Sequence, residues 1–569
     1  MIAAGALLVL GGVWLVVTGL IVRSELQDAR ASVHLLRQQV SDGDLAAARV
    51  TLADLQTSAS RAHTWSSGPA WALAGALPGG GNPFESVRGI ASAVDTLSSA
   101  TLPALLDARD TLEPNQLRRA DGSIDLAPIE QVAPTLAAAD KALADATRQV
   151  AGLPEDTWLS PVDDARREML AELTDIAGTV RSADLGAQIL PQMLGVDGPK
   201  TYFVGFQNEA ESRGTGGIPG AFGILQADNG RLKFLSFHND STLNGIRTGL
   251  TFGPDFAQMY GHYEPSNTYV NSDASPHFPY AAQIWAAMWQ KYSGQHIDGA
   301  LAVDPTTLGY LLGATGGITM PDGTQVDGSN VVTLTQSTVY ALKPDVNERK
   351  QYLLDIAKRV SQHLIDSTVS ASSLVDAMGR AMGERRVLAW SADPAIEAEL
   401  TRTSVSGAVP TTDAPYTGVV VINQSTSKLD YYLDRTVTWQ RTGCGSTREV
   451  VATVKLTNTA PASGLPPYVT IRSDLPLASA KPGDNNDDVS YYATNGGLLD
   501  SVTVDGVEMP VSAGVDHGHP VYAINVELPR GSTRTVVFKL TEPAGTGQVQ
   551  TLQQPLVRPL NLTLDDESC

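Results

Sequence analysis

Cysteine is almost absent. The 569 residues contain two, Cys444 and Cys569, and no Cys-x-x-Cys pair, which argues against a zinc ribbon or a dithiol redox centre. Histidine is scarce too. Its nine copies show no metal-ligand spacing, and His262, His277 and His296 read as structural or exposed. There is no Gly-x-Ser-x-Gly elbow and no Ser-His-Asp order, so a serine hydrolase is not expected. Basic residues are outnumbered by acidic ones, 40 against 61, for a formal net charge of -21. A nucleic-acid partner needs clustered basic residues, and none are clustered here. With a pI near 4.8, any anionic ligand must be caught by locally placed Arg or Lys against the global field.

Hydrophobic residues make up 42% of the chain, enough for a sizeable core in two or three domains. One long apolar run stands out. Residues 2–22, IAAGALLVLGGVWLVVTGLIV, carry no charge and end at Arg23 and Glu25. A helix of that length crosses a bilayer core. A signal peptide would show a shorter apolar centre and a small-x-small cleavage site, so residues 1–23 are expected to be an uncleaved, single-pass anchor. No Lys or Arg precedes the run, so charge bias does not fix its orientation.

Beyond the anchor, Leu26, Ala29, Val33, Leu36 and Val40 recur at spacings of three and four and fall on one helical stripe. Ser41-Asp42-Gly43-Asp44 interrupts it, and similar patterns run over 86–112, 128–150 and 161–185. Pro103 is expected to kink or split the first of these. Residues 24–190 therefore read as a helical stalk or bundle with a solvated charged face. From Gly198 aromatic, β-branched and Gly residues rise, and helices alternate with strands to about 403, as in a mixed α/β domain. Asp228-Asn229-Gly230 between two apolar runs predicts a hairpin. After a Ser-, Gly-, Pro- and Thr-rich linker, seven strand-like runs over 418–569, Tyr468 to Ser473 among them, suggest a β-sandwich. A disulfide between Cys444 and Cys569 would tie the C-terminus to that domain in an oxidising compartment.

The most informative stretch is residues 201–217. Its apolar run from Tyr202 to Phe206 reads as a buried strand. Asn208, Glu209, Glu211, Arg213, Gly216 and Gly217 follow. Charges and glycines at a strand end usually form a loop held by a rigid sheet, where an open α/β sheet places its ligand site. Arg213 could present its planar fork to a phosphate, with Gly216 and Gly217 admitting the backbone to a ligand. Asn208 and Glu211 belong to the same candidate ligand-binding set. The competing reading is a structural ion pair between Arg213 and Glu209 or Glu211. Arg349 begins a predicted helix, where a cation is unfavourable unless an anion is near. Asp240 and Asp273, each after a strand-like segment, could hold Mg²⁺ or act as a general base; plain turn residues are the alternative.

The block Asn208-Glu209-Ala210-Glu211-Ser212-Arg213-Gly214-Thr215-Gly216-Gly217 resembles the signature of a bacterial family of envelope proteins classed as a domain of unknown function. Lys428-Leu429-Asp430-Tyr431-Tyr432 and Gln554-Pro555 resemble that family as well. A second resemblance covers His296 to Asp304, Leu308 to Leu312, Ala314 to Ile318 and Asn347 to Gln351. These segments are similar to the core of LytR–CpsA–Psr phosphotransferases, which are membrane-anchored and face outward. The resemblance implies binding, and transfer, of a polyprenyl-pyrophosphate-linked glycan, with Arg349 and by position Arg213 on the pyrophosphate. That family's Arg-x-Arg segment is absent; Ala341-Leu342-Lys343-Pro344-Asp345 stands in its place. The other reading is a non-catalytic binding or scaffold protein of polysaccharide export or wall assembly, meeting other envelope proteins through its β-sandwich.

Overall fold

The computed structural model describes residues 2–76, 82–112, 117–119, 121–367, 371–476 and 479–567; for 2–10, 41, 371 and 372 it describes the backbone alone. The chain forms two compact units: Met1–Ala120 with Ile124–Val196, and Asp121–Ser123 with Asp197–Cys569.

The first unit is helical. Its elements are α1 (Ile2–Ser41), α2 (Leu45–Ser66), α3 (Pro69–Gly75), α4 (Pro83–Thr96), α5 (Leu102–Thr111), α6 (Ala127–Ala151) and α7 (Ser160–Met193). The predicted stripe is on the inside: Ala29 and Leu36 of α1 are buried with Leu52, Leu55, Leu143, Leu173 and Val180. Asp44 starts α2 by accepting the Ala47 N–H at 3.0 Å, a side-chain N-cap. A π-turn, Leu97–Thr101, separates α4 from α5. Pro103 follows it, and the wider turn accommodates a residue that lacks an N–H and crowds the preceding carbonyls. Among the described residues one helical stretch, Pro83–Thr111, is long and apolar enough to cross a membrane, and half of it is buried inside this unit. The apolar run 2–22 lies in α1. The side chains of 2–10 lie outside the described residues; beyond them Val13, Trp14, Val16, Val17 and Leu20 are exposed.

The second unit joins a mixed sheet to a strand-rich region. The sheet comprises β1 (Lys200–Arg213), β2 (Gly216–Asp228), β3 (Arg231–Asn239), β4 (Gly299–Val303) and, after a two-stranded ribbon β5–β6 (Ile318–Thr319, Gln325–Val326), β7 (Val387–Ser391). Its order is β3-β2-β1-β4-β7. Only β1 and β4 run parallel, which a crossover through α8 (Pro254–Tyr260) and α9 (Phe278–Ser293) allows. The β2–β3 turn forms as predicted, with Asn229 and Gly230 at φ 45° and 79°, the left-handed pair of a tight hairpin.

The strand-rich region contains β8 (Tyr416–Asn423), β9 (Leu433–Thr442), β10 (Thr447–Asn458), β11 (Asn485–Tyr492), β12 (Leu498–Val504), β13 (Val507–Glu508), β14 (Ser512–Asp516), β15 (His519–Leu528), β16 (Thr533–Pro543), β17 (Gln550–Gln553) and β18 (Leu560–Asp566). They form two sheets, β13-β12-β16-β10-β9-β18 and β14-β15-β11-β8-β17. Val437, Trp439, Val450 and Phe538 of the first share a core with Val421, Val489, Tyr491 and Ile524 of the second. β9 alternates buried and exposed residues, as a one-sided strand does. β8 is buried throughout. Its Val420 and Ile422 face another core, shared with Phe203 of β1 and Phe278 and Trp285 of α9. The α/β sheet and the strand-rich region are thus welded by apolar contact.

Two sequence expectations are corrected. Residues 468–473 are not a strand; Pro466 and Pro467 start a short helix, Pro467–Thr470, as proline at a first helical turn favours. β11 is an extra strand that begins Asn-Asn-Asp-Asp, a polar run explained below. The expected Cys444–Cys569 bridge involves Cys569, which lies outside the described residues.

Candidate functional site

The charged block is strand, not loop. β1 continues through Arg213, with a register shift between Asn208 and Ser212, and turns through Gly214 and Thr215 into β2. The β1–β2 hairpin tip is buried, and Glu209, Glu211 and Arg213 with it. Charges survive there only when each is paired and hydrogen-bonded.

Arg213 is 4% exposed. Its Nε donates to the Val270 carbonyl at 3.3 Å, Nη1 to the carbonyls of Ser212 (2.8 Å) and Asn423 (3.3 Å), and Nη2 to Glu211 Oε1 and Asn271 Oδ1, both at 3.2 Å. A guanidinium has five N–H donors, and all five are used. The expected phosphate contact through Arg213 is therefore replaced by the competing reading, a structural ion pair with Glu211. Glu211 is shared with the buried ammonium of Lys428, which burial pulls down to about 8. Asn208 donates to the Tyr340 hydroxyl at 2.9 Å and accepts the Ala210 N–H.

The glycines are equally committed. A Cβ on Gly217 would lie 2.2 Å from the Asn208 carbonyl carbon, and one on Gly214 would lie 2.3 Å from the Ala274 oxygen. Gly216 holds φ 144° beside the Pro555 carbonyl. These residues let backbone pack on backbone instead of opening a path to a ligand, which corrects the reading of Gly216 and Gly217.

The three segments that carried the envelope-family resemblance meet here. Asp430 accepts the Ser212 N–H at 2.7 Å, Asn423 Nδ2 at 3.0 Å and Asn485 Nδ2 at 2.6 Å. Gln554 donates to the Arg213 carbonyl at 2.6 Å and accepts the Val421 N–H. Asn485 also donates to Asp487. Burial and the neighbouring Asp430 charge push Asp487 well above the usual carboxylate range. This is why β11 is polar at its start: Asn485 and Asp487 complete the cluster under the hairpin tip, while Asn486 donates to Asp474 and Asp488 accepts from Tyr263 and Asn525.

A second ionic group, missed in the sequence, flanks the first. Arg386 Nη1 donates to Glu209 Oε1 and Asp304 Oδ2, each at 2.8 Å, and Nη2 to the Leu556 carbonyl at 3.0 Å. Gln336 donates to the other Glu209 oxygen. Burial and the Asp304 charge push Glu209 up, against Arg386. Asp304 also accepts the Thr307 N–H at 2.6 Å, capping the helix Pro305–Thr315. The available signal was an Arg-Arg pair, Arg385-Arg386, directly before a strand.

Asp273 is fully buried; its Oδ2 accepts from Gln207 (3.0 Å) and Thr215 (3.1 Å). Burial pushes it up to about 7 against the pull of Arg213. Asp240 pairs with Lys350 at 2.7 Å. Both carboxylates help raise the buried Tyr269 hydroxyl. Among the described residues no three His, Cys, Asp or Glu side chains gather as a metal site. Asp273 is closed from solvent and Asp240 is held by an ammonium, so the pair does not fit an open Mg²⁺ site.

Arg349 differs from Arg213. It is buried in the helix Val346–Asp366 without a carboxylate partner among the described residues. Nη1 donates to the carbonyls of Lys343 (2.9 Å) and Pro344 (3.1 Å), and Nη2 has no hydrogen-bond partner there. The guanidinium lies 3.9 Å from the Tyr468 ring centroid and 5.2 Å from that of Tyr340. Tyr468 is itself exposed.

Residues 197–340 match the model of a family described as a protein of unknown function (DUF4012). The match contains the β1–β2 hairpin, Asp240, Asp273 and Asp304. It ends at Tyr340, so Arg349, Arg386, Lys428, Asp430 and Gln554 lie outside it, although four of these five hold the matched hairpin in place. No curated protein matches the chain significantly.

Proposed function

We propose that the chain is a membrane-anchored, extracytoplasmic protein of cell-envelope glycopolymer assembly, acting as a binding or scaffold protein rather than a transferase. The observation that carries this choice is the full use of Arg213. A phosphotransferase needs preorganised donors aimed at the charge that develops in the transition state. Here one of the two arginines nominated for that task, Arg213, has no donor to offer, and the nominated aspartates are closed or paired. The apolar run 2–22 and the resemblance to envelope proteins support the location.

One observation favours a retained anionic ligand, a phosphorylated or polyprenyl-linked glycan. Arg349 keeps a buried donor unpaired, which costs free energy unless something binds it, and of the two rings that lie over it the nearer, Tyr468, is exposed. The test is titration of the full chain in detergent with a short-chain polyprenyl phosphate and, separately, inorganic phosphate. Binding of the lipid phosphate should weaken at least tenfold in Arg349→Ala and should quicken in Tyr468→Ala, which uncovers the guanidinium. Unchanged affinity in both variants refutes the ligand. Release of a transferred glycan by the parent protein would restore the transferase reading.

A further inference from the structure

The helical unit carries an aromatic, apolar skirt around α1, and we infer that the skirt is a lipid-contacting surface that seats this end of the unit in the outer boundary of the bilayer. The inference rests on the reading of residues 2–22 as a membrane span. Trp14 lies eight residues before the end of that run, about 12 Å along the helix. Yet Trp14 is already packed on Trp65 of α2, with ring centroids 5.9 Å apart. If residues 2–22 cross the bilayer, the C-terminal end of α2 is carried below its surface with them.

The contact continues away from α1. The Trp71 indole N–H of α3 donates to Thr18 Oγ1 at 2.9 Å, and Trp71 meets Phe84, which in turn meets Trp158, at 5.4 and 6.2 Å between centroids. Apolar side chains near this chain of rings are exposed among the described residues. Leu73 is 73% exposed and Trp158 68% exposed, with Leu159 and Trp65 also exposed. Indole rings concentrate at membrane interfaces, where an apolar body and an N–H are both satisfied. Exposed apolar side chains flanking a spanning helix therefore have lipid as their natural cover.

Polar groups mark the same level from two directions. The span ends at Arg23, and Glu25 just beyond it pairs with Arg61 of α2 at 3.7 Å. Arg61 is one helical turn before Trp65, so the charged pair sits at the surface and the indole about 6 Å beneath it. Inside the skirt the Thr18 hydroxyl donates to the Trp14 carbonyl at 2.7 Å, so it and the Trp71 indole are satisfied without water, as lipid requires. Glu85 and Asp156 lie beside Phe84 and Trp158 in sequence, which limits the immersion to headgroup depth.

Nitroxide labels on the full chain, reconstituted in phosphatidylcholine–phosphatidylglycerol vesicles, test this. Labels go at Val17→Cys, Leu73→Cys, Trp158→Cys and Val50→Cys in a background of Cys444→Ser and Cys569→Ser. Val50 is exposed on α2, about 22 Å from Trp65. Labels at 17, 73 and 158 should collide severalfold more with oxygen than with a water-soluble nickel complex, and the label at 50 the reverse. If 17 is in lipid while 73 and 158 behave like 50, the skirt is refuted and the anchor stands. If 17 also behaves as aqueous, the anchor reading falls and takes the skirt with it. Exclusion of both reagents at 73 and 158 would mean a protein cover, which also overturns the inference. As a check without added cysteines, acyl-brominated lipid should quench the parent's tryptophan fluorescence more than that of Trp158→Phe; equal quenching counts against the skirt.

Discussion

At the scale of single residues, burial decides what a charge can do. Arg213 and Arg349 look alike in sequence, each a lone arginine beside acidic neighbours. In the fold one is saturated by five acceptors and the other keeps a donor unpaired. Arg213→Ala should therefore act on stability. It takes one of two cationic partners from Glu211 and removes the Arg213 donors from three carbonyls, and breaking such a buried pair costs about 3–5 kcal/mol. Chemical denaturation should show that loss; a variant as stable as the parent would contradict the structural role. Asp273 sets a pH dependence of definite sign. Its folded value is pushed up to about 7, against roughly 3.9 in an unfolded chain. Between those values the folded protein holds a proton that the unfolded chain has released. This contribution is present at low pH and is lost as pH rises through 7, at about 1.4 kcal/mol per pH unit for one proton. Asp273→Asn mimics the protonated form and should remove that slope from denaturation curves taken between pH 5 and 7. An unaltered slope would place the titration on another group.

At the scale of elements, the legible parts were those with a period or a turn signature. The α1 stripe, the break at Asp42–Asp44, the stretched turn before Pro103 and the Asn229-Gly230 hairpin follow from spacing and local chemistry. What could not be read was the far half of β1. Its residues look like loop because they are charged, and they are strand because partners more than 170 residues away, Arg386 and Lys428, complete them. β11 was hidden for the same reason, since its Asn485 and Asp487 are buried beside Asp430. The proposed disulfide also belongs to this scale. Arg441 grips Asp566 with two bonds of 2.7 and 2.8 Å, and the Gly443 N–H donates to Glu567 at 2.8 Å. Asp566 and Glu567, at the end of β18, are thus held at the strand end and turn that lead into Cys444. Reduction should lower the melting temperature of the parent, and Cys444→Ser should melt at that lower value with or without reductant. Identical melting of the oxidised and reduced parent would exclude the bridge.

At the scale of the molecule, the linker around 404–417 divides two kinds of secondary structure without dividing a core. Phe203, Phe278 and Trp285 on one side pack with Val420, Ile422, Tyr492 and Leu552 on the other. The hairpin tip carries its charges into the strand-rich region, where Lys428, Asp430 and Gln554 meet them. Removing residues 404–569 would expose that apolar face and take Lys428 from Glu211, Asp430 from the Ser212 N–H, and Asn423 and Gln554 from Arg213, a loss on the order of the 5–15 kcal/mol that ordinarily holds a domain folded. A fragment spanning 197–403 should therefore lack a cooperative melting transition, while 197–569 should melt in a single one. Calorimetry of the two fragments separates the cases. A sharp transition in 197–403 would mean that the α/β sheet is self-sufficient and that the buried charges serve something other than holding the two regions together.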